Sequence, residues 1–87
     1  MTKQKAMQLN TDQLTARQVL ASLNPGGLGM DQIGSEMSIG QDLGIDSLNF
    51  IRLILEVESQ IGRRVFKIQN IASIKTVGDL YDVLSGE

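Results

Sequence analysis

The sequence predicts an all-α fold, and three features carry that expectation. Apolar residues recur at helical spacing in three separate stretches. No stretch alternates apolar and polar residues as a half-buried strand would. Glycine, proline and capping residues mark the gaps between the periodic stretches. The apolar residues are aliphatic, with two Phe, one Tyr and no Trp in 87 residues. Such a core suits packed helices better than an aromatic-rich sandwich. The length fits a single domain over residues 1–87, with about 10–85 structured. The expected architecture is an up-down bundle of three main helices plus one short helix, with a long loop between the first two.

Residues 1–9 are polar and mixed, a frayed end or a helix extension. Asn10, with Gln13 three residues on, makes a capping box ahead of a first helix over Thr11–Leu23. Ala16, Val19, Leu20 and Leu23 form its apolar face. Asn24-Pro25-Gly26 stops it, because the residue before proline avoids helical angles. Residues 24–46 form a long connection punctuated by Gly26, Gly27, Gly29, Gly34, Gly40 and Gly44. No Gly-Lys-Ser/Thr follows these glycines, so a nucleotide-type phosphate loop is not expected. Leu28, Met30, Ile33, Met37, Ile39 and Leu43 pin the connection to the core, with a short helical turn near residues 31–34. A connection of this length is unusual and often functional.

Asp46 caps a second helix over Ser47–Ile61, its carboxylate accepting from first-turn amides. Phe50, Ile54, Val57 and Ile61 are its expected inward face, with Leu48, Ile51 and Leu55 as a second stripe beside it. Asn49, Arg52, Glu56 and Ser59 lie on the polar side. So wide an apolar stripe means burial against several neighbours, or a buried half plus a partner-binding strip. Gly62 ends the helix. A short irregular helix is expected over residues 68–72, with Ile68, Ile71 and Ile74 as its apolar residues. Arg63, Arg64, Lys67 and Lys75 lie between Gly62 and Gly78 with no acid among them, forming either solvated surface or a contact for an acidic partner. Thr76 with Asp79 makes a second capping box, and the last helix covers residues 76–84 before Gly86. Val77, Leu80, Val83 and Leu84 supply its apolar face, with Tyr81 at the side.

Several function classes are excluded by what is missing. There is no Cys and no His. Thiolate nucleophiles, Ser-His or Cys-His catalysis and imidazole or thiolate metal ligands are therefore impossible within this chain. No Ser-x-x-Lys occurs either. Asp42 and Asp46 lack the alternating acids of a helix–loop–helix calcium site. No metal and no autonomous enzyme activity are expected. A net charge of −2 gives no basic field for nucleic acid. The first residues lack the apolar core of a signal peptide and no 18-residue apolar span exists. A cytoplasmic monomer without membrane insertion is the expectation.

The chain is organised around Leu43-Gly44-Ile45-Asp46-Ser47-Leu48, where the glycine-rich loop meets the second helix. Ser47 is either an ordinary helix-start serine or a point of chemistry. Asp42-Leu43-Gly44-Ile45-Asp46-Ser47-Leu48 and the periodic run after it resemble the acyl carrier protein family. The likeness extends over the first helix, the long loop and Thr76-Val77-Gly78-Asp79-Leu80, nearly everything beyond residue 10. In that family the serine of Asp-Ser-Leu carries 4′-phosphopantetheine, donated covalently by coenzyme A. The resemblance implies that Ser47 is the attachment residue, with Asp46 as the cap beside it. It implies an acyl carrier holding intermediates as thioesters, in a specialised fatty-acyl, polyketide or related pathway. A peptidyl or aminoacyl carrier and an unmodified helical interaction module are the alternatives.

Implied partners are a phosphopantetheinyl transferase and acyl-loading and acyl-processing enzymes, docking on Leu48, Asn49, Ile51, Arg52 and Leu55. Phe50, Ile54, Leu55 and Ile71 are either plain core or the lining of an acyl pocket. The sequence departs from the family in charge. Asn49 follows the triplet, Arg52 stands where an acid is common, and residues 63–75 are basic. Partners that dock by basic patches would gain little here.

Overall fold

The computed structural model describes residues 9–85. Residues 1–8, read above as frayed or helical, and Gly86, read as a stop signal, lie outside the described residues. Helix α1 (Thr11–Leu23) starts at the expected capping box. The Gln13 amide donates to Asn10 Oδ1 at 2.7 Å, and the Asn10 amide to Gln13 Oε1 at 2.8 Å. The same two side chains reach the far end of the chain. Asn10 Nδ2 donates to the Leu84 carbonyl at 2.7 Å and Gln13 Nε2 to the Tyr81 carbonyl at 2.9 Å. One helix start thereby supplies donors to carbonyls at another helix's end, where intrahelical partners run short. At its other end α1 stops on buried Asn24, whose Nδ2 donates to the Leu20, Ala21 and Leu28 carbonyls.

The long connection holds a single 3₁₀ turn, Met30–Gln32, close to where a turn was expected. Arg17 on α1 holds it, donating from Nε to the Met30 carbonyl at 2.7 Å and from Nη2 to the Ile33 carbonyl at 3.3 Å. Ile33, Ile39 and Leu43 are buried, while Leu28, Met30 and Met37 are half-buried. Ile45, not counted among the expected pins, is buried too. The loop is also stitched to the segment ahead of the last helix. The Ile39 amide donates to the Lys75 carbonyl at 3.0 Å, Val77 to Met37 at 3.0 Å and Gly78 to Ser35 at 2.8 Å. An isolated antiparallel bridge joins Ser38 and Thr76. No strand forms among the described residues.

Helix α2 (Ser47–Ile61) ends at Gly62, whose φ of 88° is the left-handed conformation that glycine adopts without steric cost. Its inward face corrects the expected one. Leu53, left off the face above, is fully buried with Ile54 and Val57, whereas Phe50 and Ile61 are half-buried. Leu53 lies three residues after Phe50 and four before Val57, so it shares their side of the helix. Helix α3 (Ile68–Ser73) is short. Ile74 is buried and Ile71 half-buried, but Ile68 is 85% exposed. The segment between α2 and α3 is held by Glu58, whose Oε2 accepts from the Val65 and Phe66 amides, each at 3.0 Å. Helix α4 (Val77–Val83) starts at the Thr76–Asp79 capping box. Tyr81 belongs to its buried face with Val77, Leu80 and Leu84, while Val83 is half-buried. The Tyr81 hydroxyl has no hydrogen-bond partner among the described residues, and burial pushes its pKa up. Helices α1, α2 and α4 and the connecting loop contribute side chains to one apolar cluster, and Ile71 of α3 packs against it.

Candidate functional site

The loop enters α2 through a sequence of local constraints. Gly44 has φ 69°, and a Cβ there would lie 3.1 Å from Pro25 Cγ. Only glycine fits this turn without strain. Leu43 and Asp42 both donate to the Ser38 carbonyl, and the Ile45 amide donates to the Ile39 carbonyl. Asp42 Oδ2 in turn accepts from the Ser38 amide at 2.8 Å. Asp46 is extended, at φ −79° and ψ −179°, and its Oδ1 accepts from the Asn49 amide at 2.9 Å. Both acids thus serve as local acceptors for amides. Among the described residues no cluster of acids able to hold a metal occurs.

Ser47 is the first residue of α2 and is exposed. The Ser47 and Leu48 amides have no acceptor among the described residues. These open donors, with the positive end of the helix dipole, favour a phosphate group at the Ser47 hydroxyl. Beside Ser47 lies an open groove of about 330 Å³. Ile39, Ile45, Phe50 and Ile74 give it apolar walls, and Gln41 and Lys75 stand at its polar side.

The expected site residues divide by face. Leu48, Ile51 and Leu55 are 72%, 46% and 59% exposed, and Arg52 is exposed with them. Asn49 is half-buried. Of the four residues named for an acyl pocket, only Phe50 lines the groove. Ile54 lies in the core, Ile71 packs against it half-buried, and Leu55 projects from the outer side of α2. Leu55 follows Phe50 by five residues, roughly 140° around the helix, so the two cannot share a wall. Ile39, Ile45, Ile74 and Lys75 were missed because pairing of the loop with residues 75–78 brings them together. The basic segment is also less free than its sequence suggests. Arg63 pairs with Asp12 of α1 at 2.8 Å, leaving Arg64, Lys67 and Lys75 without an ion-pair partner among the described residues.

Residues 27–84 match the profile of the family described as "phosphopantetheine attachment site". The chain belongs to that family. It is 35% identical over 57 residues to the acyl carrier protein of Saccharopolyspora erythraea, a match covering 66% of this chain and 59% of that protein. It is 30% identical over 61 residues to one component of the polyunsaturated fatty acid synthase of a Thraustochytrium species, covering 70% of this chain and 2% of that much longer one. A solved structure of an acyl carrier protein candidate from Mycobacterium tuberculosis aligns with TM-score 0.73 at 25% identity, over 86% of this chain and 96% of that one. The fold is thus the all-α acyl-carrier fold, and the chain is a carrier domain with covalently attached 4′-phosphopantetheine as its prosthetic group. The residues present fit such a group. An exposed hydroxyl stands beside two open amides, and a groove with apolar walls and a polar side lies next to it.

Proposed function

We propose that Ser47 is the attachment residue and that the protein presents acyl groups to partner enzymes. The observation that carries this is the placement of Ser47 itself, an exposed hydroxyl at the start of α2 with open amides and the groove beside it. When bound, 4′-phosphopantetheine supplies the thiol that this cysteine-free chain lacks and on which an acyl group is held as a thioester. The chain's own residues position and shelter. Asp46 fixes the first turn through the Asn49 amide, which keeps the Ser47 and Leu48 amides pointing beyond the helix end. The Gly44 turn, wedged against Pro25, sets the angle at which the loop meets the helix. The walls of Ile39, Ile45, Phe50 and Ile74 offer an apolar rest for the arm and a short acyl chain. Tethering cargo this way raises its effective concentration at a docked enzyme.

Acyl rather than aminoacyl cargo is supported by the named relatives, an acyl carrier protein and a component of a fatty acid synthase. Phosphopantetheinyl transferase and acyl-processing enzymes are the partners this role requires. The test is to incubate the apo-protein with coenzyme A, Mg²⁺ and a broad-specificity phosphopantetheinyl transferase, then record the intact mass. The wild-type chain gains one phosphopantetheine and Ser47→Ala gains none. An unchanged wild-type mass, or an adduct on Ser47→Ala, contradicts the proposal.

A further inference from the structure

We infer that the groove beside Ser47 seats acyl groups bearing a neutral hydroxyl or keto oxygen, and that Ser38, Gln41 and Lys75 select for that oxygen. The inference rests on Ser47 as the attachment residue, because Ser47 lines the groove and an arm joined to it starts at the groove's rim. The apolar wall is fixed. Ile39, Ile45 and Ile74 are 3%, 3% and 8% exposed, so each is set in the core and shows only an edge to the groove. Such a wall accepts the methylene groups of any acyl chain and does not choose among them.

The polar edge can choose. Its side chains rise from backbone that is held at several points. The Lys75 amide donates to Asp79 Oδ2 at 3.0 Å, and the Lys75 carbonyl accepts from the Ile39 amide at 3.0 Å. The Gln41 amide donates to Ser38 Oγ at 2.9 Å, and the Ser38 amide to Asp42 Oδ2 at 2.8 Å. The side-chain donors themselves are unspent. Gln41 Nε2, Lys75 Nζ and the Ser38 hydroxyl proton have no acceptor among the described residues. Three donors beside an apolar wall suit a hydrocarbon chain that carries an acceptor oxygen. A saturated chain displaces water from these donors and offers no acceptor in return. Charge decides between neutral and anionic oxygens. Lys75 and Asp46 are the charged residues that line the groove. Asp42 and Asp79 stand behind Ser38 and Lys75, whose amides they accept. Three carboxylates against one ammonium, with the phosphodiester of the arm added, disfavour a carboxylate on the cargo. A neutral acceptor oxygen is what remains.

Coenzyme A bearing a butanoyl, 3-hydroxybutanoyl or malonyl thioester is loaded onto the apo-protein by a broad-specificity phosphopantetheinyl transferase, and fragmentation mass spectrometry locates the arm. Hydroxylamine then cleaves each thioester. The cleavage rate of the same thioester on free pantetheine, divided by the rate on the protein, gives a protection factor that reports seating apart from intrinsic reactivity. The double variant Gln41→Leu/Lys75→Met keeps the bulk of both side chains and removes their donors, and circular dichroism confirms that it is folded. On the wild-type chain 3-hydroxybutanoyl is protected about fivefold more than butanoyl, the worth of one neutral hydrogen bond, and also more than malonyl. The double variant loses most of that advantage. Equal protection of butanoyl and 3-hydroxybutanoyl on the wild-type chain, as when the arm's own amides take the donors, overturns the inference. So does stronger protection of malonyl, or an advantage that the double variant keeps in full. Each of these results leaves Ser47 standing as the attachment residue. Failure of every thioester to load on Ser47 overturns both.

Discussion

Asp79 shows how single side chains hold this structure together. Its Oδ2 accepts from the Lys75 and Thr76 amides, each at 3.0 Å, while the Asp79 amide donates to Thr76 Oγ1 at 3.1 Å. Those residues form the segment that pairs with the long loop and borders the groove, so one carboxylate fixes both. The two backbone amides, helped by the Thr76 hydroxyl and the Lys75 charge, hold its pKa below the ordinary value of 3.8. A carboxyl with a lowered folded-state pKa stabilises the fold above its unfolded value, and that contribution is lost as pH falls through the folded-state value. Asp79→Asn is therefore less stable than wild type near neutral pH, and the gap closes below the unfolded value of 3.8. Thermal unfolding of both proteins from neutral pH into acid checks this, and parallel curves would contradict it. Both capping boxes, at Asn10–Gln13 and Thr76–Asp79, were legible in the sequence because each is settled within four residues.

At the scale of the element, α2 has two apolar sides with different roles. Leu53 is fully buried, while Leu55, two residues on, is 59% exposed. Leu53→Ala leaves a cavity and costs about 2–5 kcal/mol. Leu55→Ala exchanges an exposed side chain for a good helix former and changes stability by less than about 0.5 kcal/mol. Denaturant unfolding of the two variants separates the roles, and similar midpoints would contradict them. Periodicity gave the extent of this helix but not its orientation. Apolar positions spread over more than half a circumference fit several rotations, and only packing against α1 and the rest of the core selects among them. The groove was hidden for a related reason. Its walls come from residues as distant in sequence as Ile39 and Ile74, joined by backbone pairing that leaves no local pattern. The start of α2 was legible, since Gly44, Asp46 and Ser47 act through their immediate neighbours.

Over the whole molecule, stability and function are divided between faces. The ends of α1 and α4 are tied through Asn10 and Gln13, and the loop is tied to α1 through Arg17 and to α4 through the backbone. These ties leave one side of α2 uncovered, with Ser47 at its start and the cationic segment beyond its end. Membership of the phosphopantetheine attachment site family accounts for the fold and the prosthetic group. We propose that this architecture presents one hydroxyl, Ser47, for attachment of the arm. Fragmentation mass spectrometry of the transferase-treated protein tests it most directly. The predicted result is phosphopantetheine on Ser47 alone, and an arm located on any other hydroxyl, such as Ser38 at the edge of the same groove, would contradict it.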